Sequence, residues 1–387
     1  MASQVHIPHI SSLEWKRVFK LSSSPAQIEE NVKEFEEIVG TEPTRIVTFN
    51  EGAVLSLVHL QQRFCSHEFN TLAHPAHARQ KHYVREALTR NGIPSPSYFV
   101  EIGHEIKNIE TFTACQQWVA KPNLGMGGRN VRFIQGLEQA NEYLTYIAPT
   151  PTLYPINDNE INLTEYWGTG YETLFEEYVP GNEYSAELHV IQGRVSSIFV
   201  TQKFSSGAPY FLELAHITTP ETHLPLTKVD LLQQMQAICE AVGVITTVCH
   251  LEFKIVAGKV TVIEVNLRPA GGDICEIWLQ ATGIDLLLSH LFPESKTSLP
   301  KHDLKPHAVI HHTLVGKATV PADFIGKIEH KASMMGIELT TTMIKEAGRA
   351  HSPISSEAGF RYAKSVAHHC QFETLQKFVS EVLAEGV

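Results

Sequence analysis

Glu252-Phe-Lys-Ile-Val-Ala-Gly-Lys-Val-Thr-Val-Ile-Glu-Val-Asn-Leu-Arg268 reads as two apolar strands turning at Ala257-Gly258. In the second strand, a period of two puts Ile263, Val265 and Leu267 on one face and Val262, Glu264 and Asn266 on the other. The first face is core. The second sets a carboxylate beside a carboxamide in an otherwise apolar strand. A three-residue loop centred on Gly258 brings Glu252 opposite Glu264. Like charges facing across a ladder destabilise a sheet unless a cation lies between them. Two carboxylates and an amide oxygen suit Mg2+ or Mn2+, with phosphate oxygens completing the shell. The plain alternative is a solvated hairpin face with incidental acids, and this segment alone does not choose.

Two segments upstream bear on that choice. Lys121-Pro-Asn-Leu-Gly-Met-Gly-Gly-Arg-Asn-Val131 lies between two short expected strands. Its glycines let backbone N–H groups approach phosphate oxygens, and Lys121 can set its ammonium over the same phosphates. No Lys-Ser/Thr pair follows the glycines, so it is not a P-loop, and by itself it is equally an ordinary turn. In Leu174-Phe-Glu-Glu-Tyr-Val-Pro-Gly-Asn-Glu-Tyr-Ser185, Pro180-Gly181 interrupts a strand. The interruption leaves backbone donors and acceptors at its end that can read a base edge, with Glu183 placed for ribose hydroxyls. Taken singly, this piece is also a plain strand–turn–strand.

The rest of the chain sets the frame. At 387 residues it exceeds one small core, and 43% hydrophobic and 19% charged residues are ordinary for a globular protein. With 42 acidic against 31 basic residues, the net charge of −11 disfavours a nucleic-acid partner. The six cysteines are scattered without a Cys-x-x-Cys pair, which points to reduced thiols rather than zinc or disulfides. His311 and His312 are neighbours in an expected strand, point to opposite faces and so do not share a metal. Neither a signal peptide nor a run of membrane-span length is visible, so a cytoplasmic protein without a membrane partner is expected.

Patterning predicts a helix near 27–39, a buried strand at 45–50, and helices to about residue 64 and over 76–91, the last closed by Gly92 and Pro94. Short strands follow, then a Pro/Asn/Thr-rich segment at 148–170 that reads as a loop or mobile lid. Strands dominate from residue 174 to 218, and a helix over 228–242 ends at Gly243. The tail from 305 holds strands and a final helix, with no chemistry assigned to it. The pattern is α+β with mainly antiparallel strands.

In order, these pieces resemble the ATP-grasp superfamily, specifically its carboxylate–amine ligases, over residues 46–288. Gln80-Lys81-His-Tyr-Val-Arg85 stands where that family has a helical Asp-Lys-x-x-x-Arg. Lys121 through Val131 matches its strand lysine and glycine loop, Glu176-Glu177-Tyr178-Val179 with Glu183 its hinge strand, and Glu252-Phe253 with Glu264-Val-Asn266-Leu-Arg268 its closing pair. The resemblance implies two α+β lobes sandwiching ATP. It implies a reduced N-terminal domain (1–75), an ATP-grasp domain (76–304, lid about 112–180) and a C-terminal α+β extension (305–387). It also implies roles. Lys81 and Lys121 would neutralise ATP phosphates under Gly125, Gly127 and Gly128. Glu176, Glu177 and Val179 would hold adenine, and Glu183 the ribose. Glu252, Glu264 and Asn266 would hold Mg2+. Arg268, with Gly271 and Gly272, would bind the acid substrate and its phosphorylated form, with Lys121 and Arg268 catalytic. His216-Ile-Thr-Thr-Pro220 resembles the corresponding segment of dipeptide-forming ligases, which suggests an amino-acid substrate near His216. Three departures stand out: Gln80 replaces Asp, Asn130 ends the glycine loop, and residues 1–44 show no clear first strand and glycine turn. The expected reaction joins a small-molecule acid to an amine through an acyl phosphate, releasing ADP and phosphate; a homodimer is a family-level expectation. The alternatives are a bicarbonate-using enzyme of the same fold and a nucleotide-binding module without turnover.

Overall fold

The computed structural model describes residues 45–65, 70–74, 77, 79–125, 128, 130–147, 172–294, 304–314, 318–319, 323–345, 350–351 and 360–385, with single positions before residue 45. The segment 148–170 and Gly127 lie outside the described residues. Within the expected helix near 27–39, the described positions 30, 33, 34 and 37 are helical.

Residues 45–50 form no strand. Their backbone carbonyls are met by side chains instead of a ladder: Gln61 Nε2 donates to Ile46 O at 2.7 Å, and His290 Nε2 to Thr48 O at 3.1 Å. An apolar run alone does not make a strand without a neighbour to pair with. Helix α1 (Val54–Phe64) follows, and α2 (Lys81–Arg90) begins five residues later than the pattern over 76–91 suggested. Gln80 is extended there, and Lys81 N bonds to Asn123 O at 3.4 Å, so the helix starts where the chain meets the glycine segment.

A four-stranded antiparallel sheet is built from β1 (Tyr98–Ile102), β2 (Trp118–Pro122), β3 (Arg132–Ile134) and β4 (Glu172–Glu177), in the order β1-β4-β2-β3. Helices α3 (Ile109–Thr113) and α4 (Leu137–Ile147) accompany it, and α4 buries Ala140, Tyr143 and Leu144 at helical spacing. The core between them is aromatic. Phe99 and Phe175 stack at 5.0 Å, and Trp118 Nε1 donates to Phe112 O at 3.0 Å.

The second sheet has eight antiparallel strands: β5 (Glu183–Ile191), β6 (Arg194–Ser205), β7 (Glu213–Thr218), β8 (Thr247–Val256), β9 (Lys259–Asn266), β10 (His307–Leu314), β12 (Glu338–Met343) and β14 (Phe360–His368). Their order is β12-β14-β10-β7-β6-β5-β8-β9, so the tail is continuous with the middle of the chain through β10 on β7. β11 (Ala318–Thr319) and β13 (Ala350–His351) pair separately. Helix α5 (Lys228–Val242) is capped by Thr227 and closed by Gly243 at φ +84°. It lays Leu231, Met235, Ile238 and Val242 on the core that β5, β8 and β9 share. Helices α6 (Ile274–Thr282) and α7 (Leu286–Leu291) follow β9, while α8 (Phe324–Met334) and α9 (Phe372–Ala384) close the core at the tail end. Among the described residues no helix is long and apolar enough to cross a membrane.

The hairpin reaches its expected pairing by a different route. Val256 pairs with Lys259 across a two-residue turn in which Ala257 and Gly258 both have positive φ, the geometry that matches strand twist. That register alone would leave Glu252 facing Ile263. A bulge at Ile263 shifts it by one, and Glu252 then faces Glu264. The bulge also corrects the expected faces. Val262 is fully buried in the core, whereas Ile263 joins Glu264 and Asn266 on a cavity wall.

Arg85 of α2 holds this bulge. Its guanidinium, 2% exposed, donates to Val262 O at 2.9 Å and to Ile263 O, and binds Glu176 of β4 at 2.7 Å. Arg85→Ala leaves two buried carbonyls without a donor and Glu176 with Lys121 alone, and is expected to cost about 3–5 kcal/mol of unfolding free energy; denaturant melts showing under 1 kcal/mol would contradict this. Buried histidines give a second test. Burial lowers His216 and His290 to about 3 and His189 to about 4, from an ordinary 6.5. The unfolded chain binds these protons first, so their contribution is complete above about pH 6.5 and is lost as pH falls toward 4. The melting temperature should therefore change little near pH 7 and fall increasingly below about pH 6.5, each group approaching about 1.4 kcal/mol per pH unit near pH 5. A flat profile would refute neutral burial.

Candidate active site

One cavity of about 390 Å3 lies where the two sheets meet, lined from the small sheet by Lys121, Glu176 and Glu177 and from the large one by Glu252, Glu264 and Asn266. Of the positions singled out in the sequence, Gly128, Val179, Glu183, Arg268, Gly271 and Gly272 line it as well. Lys81 lies in an adjoining small recess shared with Glu264 and Asn266. Gly125 sits beside Lys81, whose ammonium donates to Gly125 O at 3.1 Å. Asn130, at the end of the glycine segment, adopts φ +59°.

The two facing carboxylates each have an ammonium. Lys81 is 3.0 Å from Glu264, and Lys203 of β6 is 2.5 Å from Glu252. Lys203 also reaches Glu213 at 2.9 Å and Glu183 at 3.2 Å. Burial opposes its charge, but the three carboxylates outweigh burial and hold Lys203 well above the usual lysine range. Glu252 is driven well below the carboxylate range, because Lys203 and His250 more than offset its burial. Lys203 likewise holds Glu213 down at about 2. His250 bridges Glu252 at 3.2 Å and the fully buried Glu187 at 2.5 Å. Burial would lower this imidazole, yet Glu187 and Glu252 raise it to about 10. Glu187 in turn accepts from Ala270 N at 2.9 Å, tying the loop after β9 to the carboxylates.

Asn266 is 6% exposed, and its carboxamide has no hydrogen-bond partner among the described residues. An unpaired amide oxygen beside two facing carboxylates is an all-oxygen donor set that fits a divalent hard cation.

At the hinge, Glu176 is 3% exposed and fully engaged, with Arg85 at 2.7 Å and Lys121 at 2.6 Å. Its carboxylate is taken up by these two cations and fixes the lysine. The Val179 carbonyl takes Lys254 at 2.7 Å, while the Val179 amide has no partner among the described residues. Glu183, expected for ribose, is paired with Lys203. Arg268 pairs with Glu51 at 2.8 Å, and Glu51 with Arg79 at 2.7 Å. His216 does not reach the cavity. It is fully buried behind Gly272, where an added Cβ would stand 3.0 Å from its Nε2.

Sequence reasoning missed several lining residues. His250 and Lys254 flank Glu252 at a spacing of two on the same strand, so the alternation that singled out Glu264 also marks them. Lys203 interrupts the apolar run of β6. Glu51 and Arg361 carry no local signal, since only long-range folding brings them here.

Residues 116–276 match the family model described as ATP-grasp domain. Carnosine synthase 1 from Homo sapiens is 28% identical over 172 residues, 44% of this chain and 20% of that protein. The chain thus spans about a fifth of the length of the curated relatives it first matches. An L-amino acid ligase from Bacillus licheniformis superposes with a TM-score of 0.69 at 18% identity, covering 93% of this chain and 84% of the other. An ADP complex of N5-carboxyaminoimidazole synthetase from Staphylococcus aureus gives 0.62 at 13% identity, over 95% and 85%. Residues 116–276 are an ATP-grasp domain, and the chain built around them has the ATP-grasp fold.

Proposed function

We propose that this protein is an ATP-dependent carboxylate–amine ligase that makes an amide bond through an acyl phosphate, with an amino acid among its substrates. The observation that carries this reading is the convergence of Glu252, Glu264, Asn266, Lys81, Lys121 and Arg268 on one junction between the sheets. The relatives whose names are amino-acid ligase and carnosine synthase favour it over a bicarbonate-using enzyme or a module without turnover.

Glu252, Glu264 and Asn266 would hold Mg2+, which supplies charge neutralisation at the transferred phosphoryl group. The Val179 amide and the backbone of residues 176–179 would read the adenine edge, with Ile263 as apolar floor and Glu183 near the ribose. Lys121, fixed by Glu176, and Lys81 would lie along the phosphates. The acid substrate's carboxylate oxygen attacks the γ-phosphorus, the bond to the β,γ-bridging oxygen breaks, and ADP leaves. Arg268, steadied by Glu51, orients the acid and offsets the charge on its phosphorylated form. A neutral amine then attacks the carbonyl carbon; the C–N bond forms, the C–O bond to phosphate breaks, and the nitrogen's proton leaves with the departing phosphate. Backbone N–H groups around Gly271 and Gly272 lie where the carbonyl oxygen gathers charge.

The test is phosphate release from MgATP across pairs of amino acids in bicarbonate-depleted buffer. Release is expected only when both an acid and an amine are present. Glu264→Gln should lower it by more than the roughly 10–100-fold that loss of an outer-shell partner costs, with the melting temperature kept. Unchanged turnover in that variant, or release that requires bicarbonate, would overturn the reading.

A further inference from the structure

Five cationic side chains of lysine or arginine line the cavity, and four are engaged. Lys121 is held by Glu176, Lys203 by its three carboxylates, Lys254 by the Val179 carbonyl, and Arg268 by Glu51. The fifth is Arg361, on β14, and among the described residues it has neither an ion pair nor a hydrogen bond. It comes from the tail, to which the sequence assigned no chemistry.

The backbone aims it there. Along β10 and β14 the register runs regularly to His312 opposite Ala363, then shifts so that Thr313 faces Arg361. Tyr362 is the extra residue. Tyr362 and Ala363 are both buried in the core that α8 and α9 close, which breaks the alternation and turns Arg361 to the other face. Strict alternation would have sent Arg361 toward the core with Ala363. A bulge that re-aims one side chain is a common device beside functional sites. The bulge at Ile263 on β9 does the same for the facing carboxylates.

Position along the sheet says what Arg361 is for. In the order of the sheet β14 lies six strands from β9. The loop after β9 runs back over the curved sheet, past Glu187 of β5, toward β10. Arg268 begins it, and by Gly272 it rests on β7 and β10: His311 Nε2 donates to Gly272 O at 3.1 Å, and His216 lies against Gly272. Arg361 therefore lies beyond Gly272, past the place where the acid is activated. His216 and His311 near it are held neutral by burial, so they add no cation there and the guanidinium is the charge an incoming group meets.

We propose that Arg361 binds a carboxylate carried by the amine substrate, so that the acceptor is itself an amino acid rather than a simple amine. The inference rests on the ligase reading for its chemistry and on the cavity geometry for the residue. Planar guanidinium groups suit carboxylates bidentately, and loss of such a charge-assisted contact corresponds to roughly a 10–100-fold change in affinity.

The experiment uses the full chain with MgATP, the protein-forming L-amino acids, and the same compounds as α-carboxamides. Thermal shift reads binding and phosphate release reads turnover, for the wild type, Arg361→Ala and Arg361→Lys. At least one amino acid should stabilise the wild type more than its amide. That preference should vanish in Arg361→Ala and persist in part in Arg361→Lys, while KM for ATP stays within about twofold. The proposal is overturned if every acid-over-amide preference survives in a folded Arg361→Ala protein, or if the wild type shows none. Arg361-dependent binding without phosphate release would keep this inference and remove the ligase reading; release indifferent to Arg361 would do the reverse.

Discussion

Two carboxylates face each other across an antiparallel ladder, and the chain spends much of its architecture making that tolerable. Side chains directly opposite on neighbouring strands lie about 5 Å apart, where like charges repel. Lys203 answers Glu252 from β6 and Lys81 answers Glu264 from α2. Arg85, one turn after Lys81 on the same helix face, binds the carbonyls of the bulge that creates the pairing. A spacing of four between Lys81 and Arg85 is thus one device: the lysine neutralises the carboxylate and the arginine keeps it in register. Through Glu176, the same arginine joins the hinge strand and Lys121 to the arrangement.

The neighbouring groups form a connected set rather than a collection of pairs. Lys203 is shared by Glu183, Glu213 and Glu252, and His250 links Glu252 to the buried Glu187. Glu187 reaches the amide of Ala270 in the loop that carries Gly271 and Gly272. A change in charge at the facing carboxylates is therefore coupled through side chains to the segment proposed to touch the acid substrate. Such coupling suits a reaction in which phosphoryl transfer precedes attack by the amine.

Much of this was legible in the sequence, and the failures are physical. Strand alternation found Glu264 and Asn266, and turn arithmetic found the partner of Glu264. The arithmetic assumed a three-residue loop, whereas a two-residue turn plus one bulge gives the same pairing with Ile263 on the other face. A bulge leaves no local mark, because Ile263 is as good a strand residue as its neighbours. The run at 45–50 has strand composition but no strand beside it. His216 was assigned to the substrate, and the structure puts it behind Gly272 instead. Arg361 was out of reach for a deeper reason. Its place depends on β10 pairing with β7 across some ninety residues of chain, then on β14 pairing with β10, and on a further bulge at Tyr362.

The central claim is that the facing carboxylates and Asn266 gather a divalent ion at the outer phosphates of a bound nucleotide. Anomalous diffraction from crystals grown with Mn2+ and a non-hydrolysable ATP analogue addresses it directly. The account predicts a manganese peak within coordination distance of Glu252, Glu264 and Asn266, with phosphate oxygens in its shell and the adenine at residues 176–179. Nucleotide bound elsewhere, or a metal peak that leaves Glu252 and Glu264 to their lysines and Asn266 uncoordinated, would contradict it.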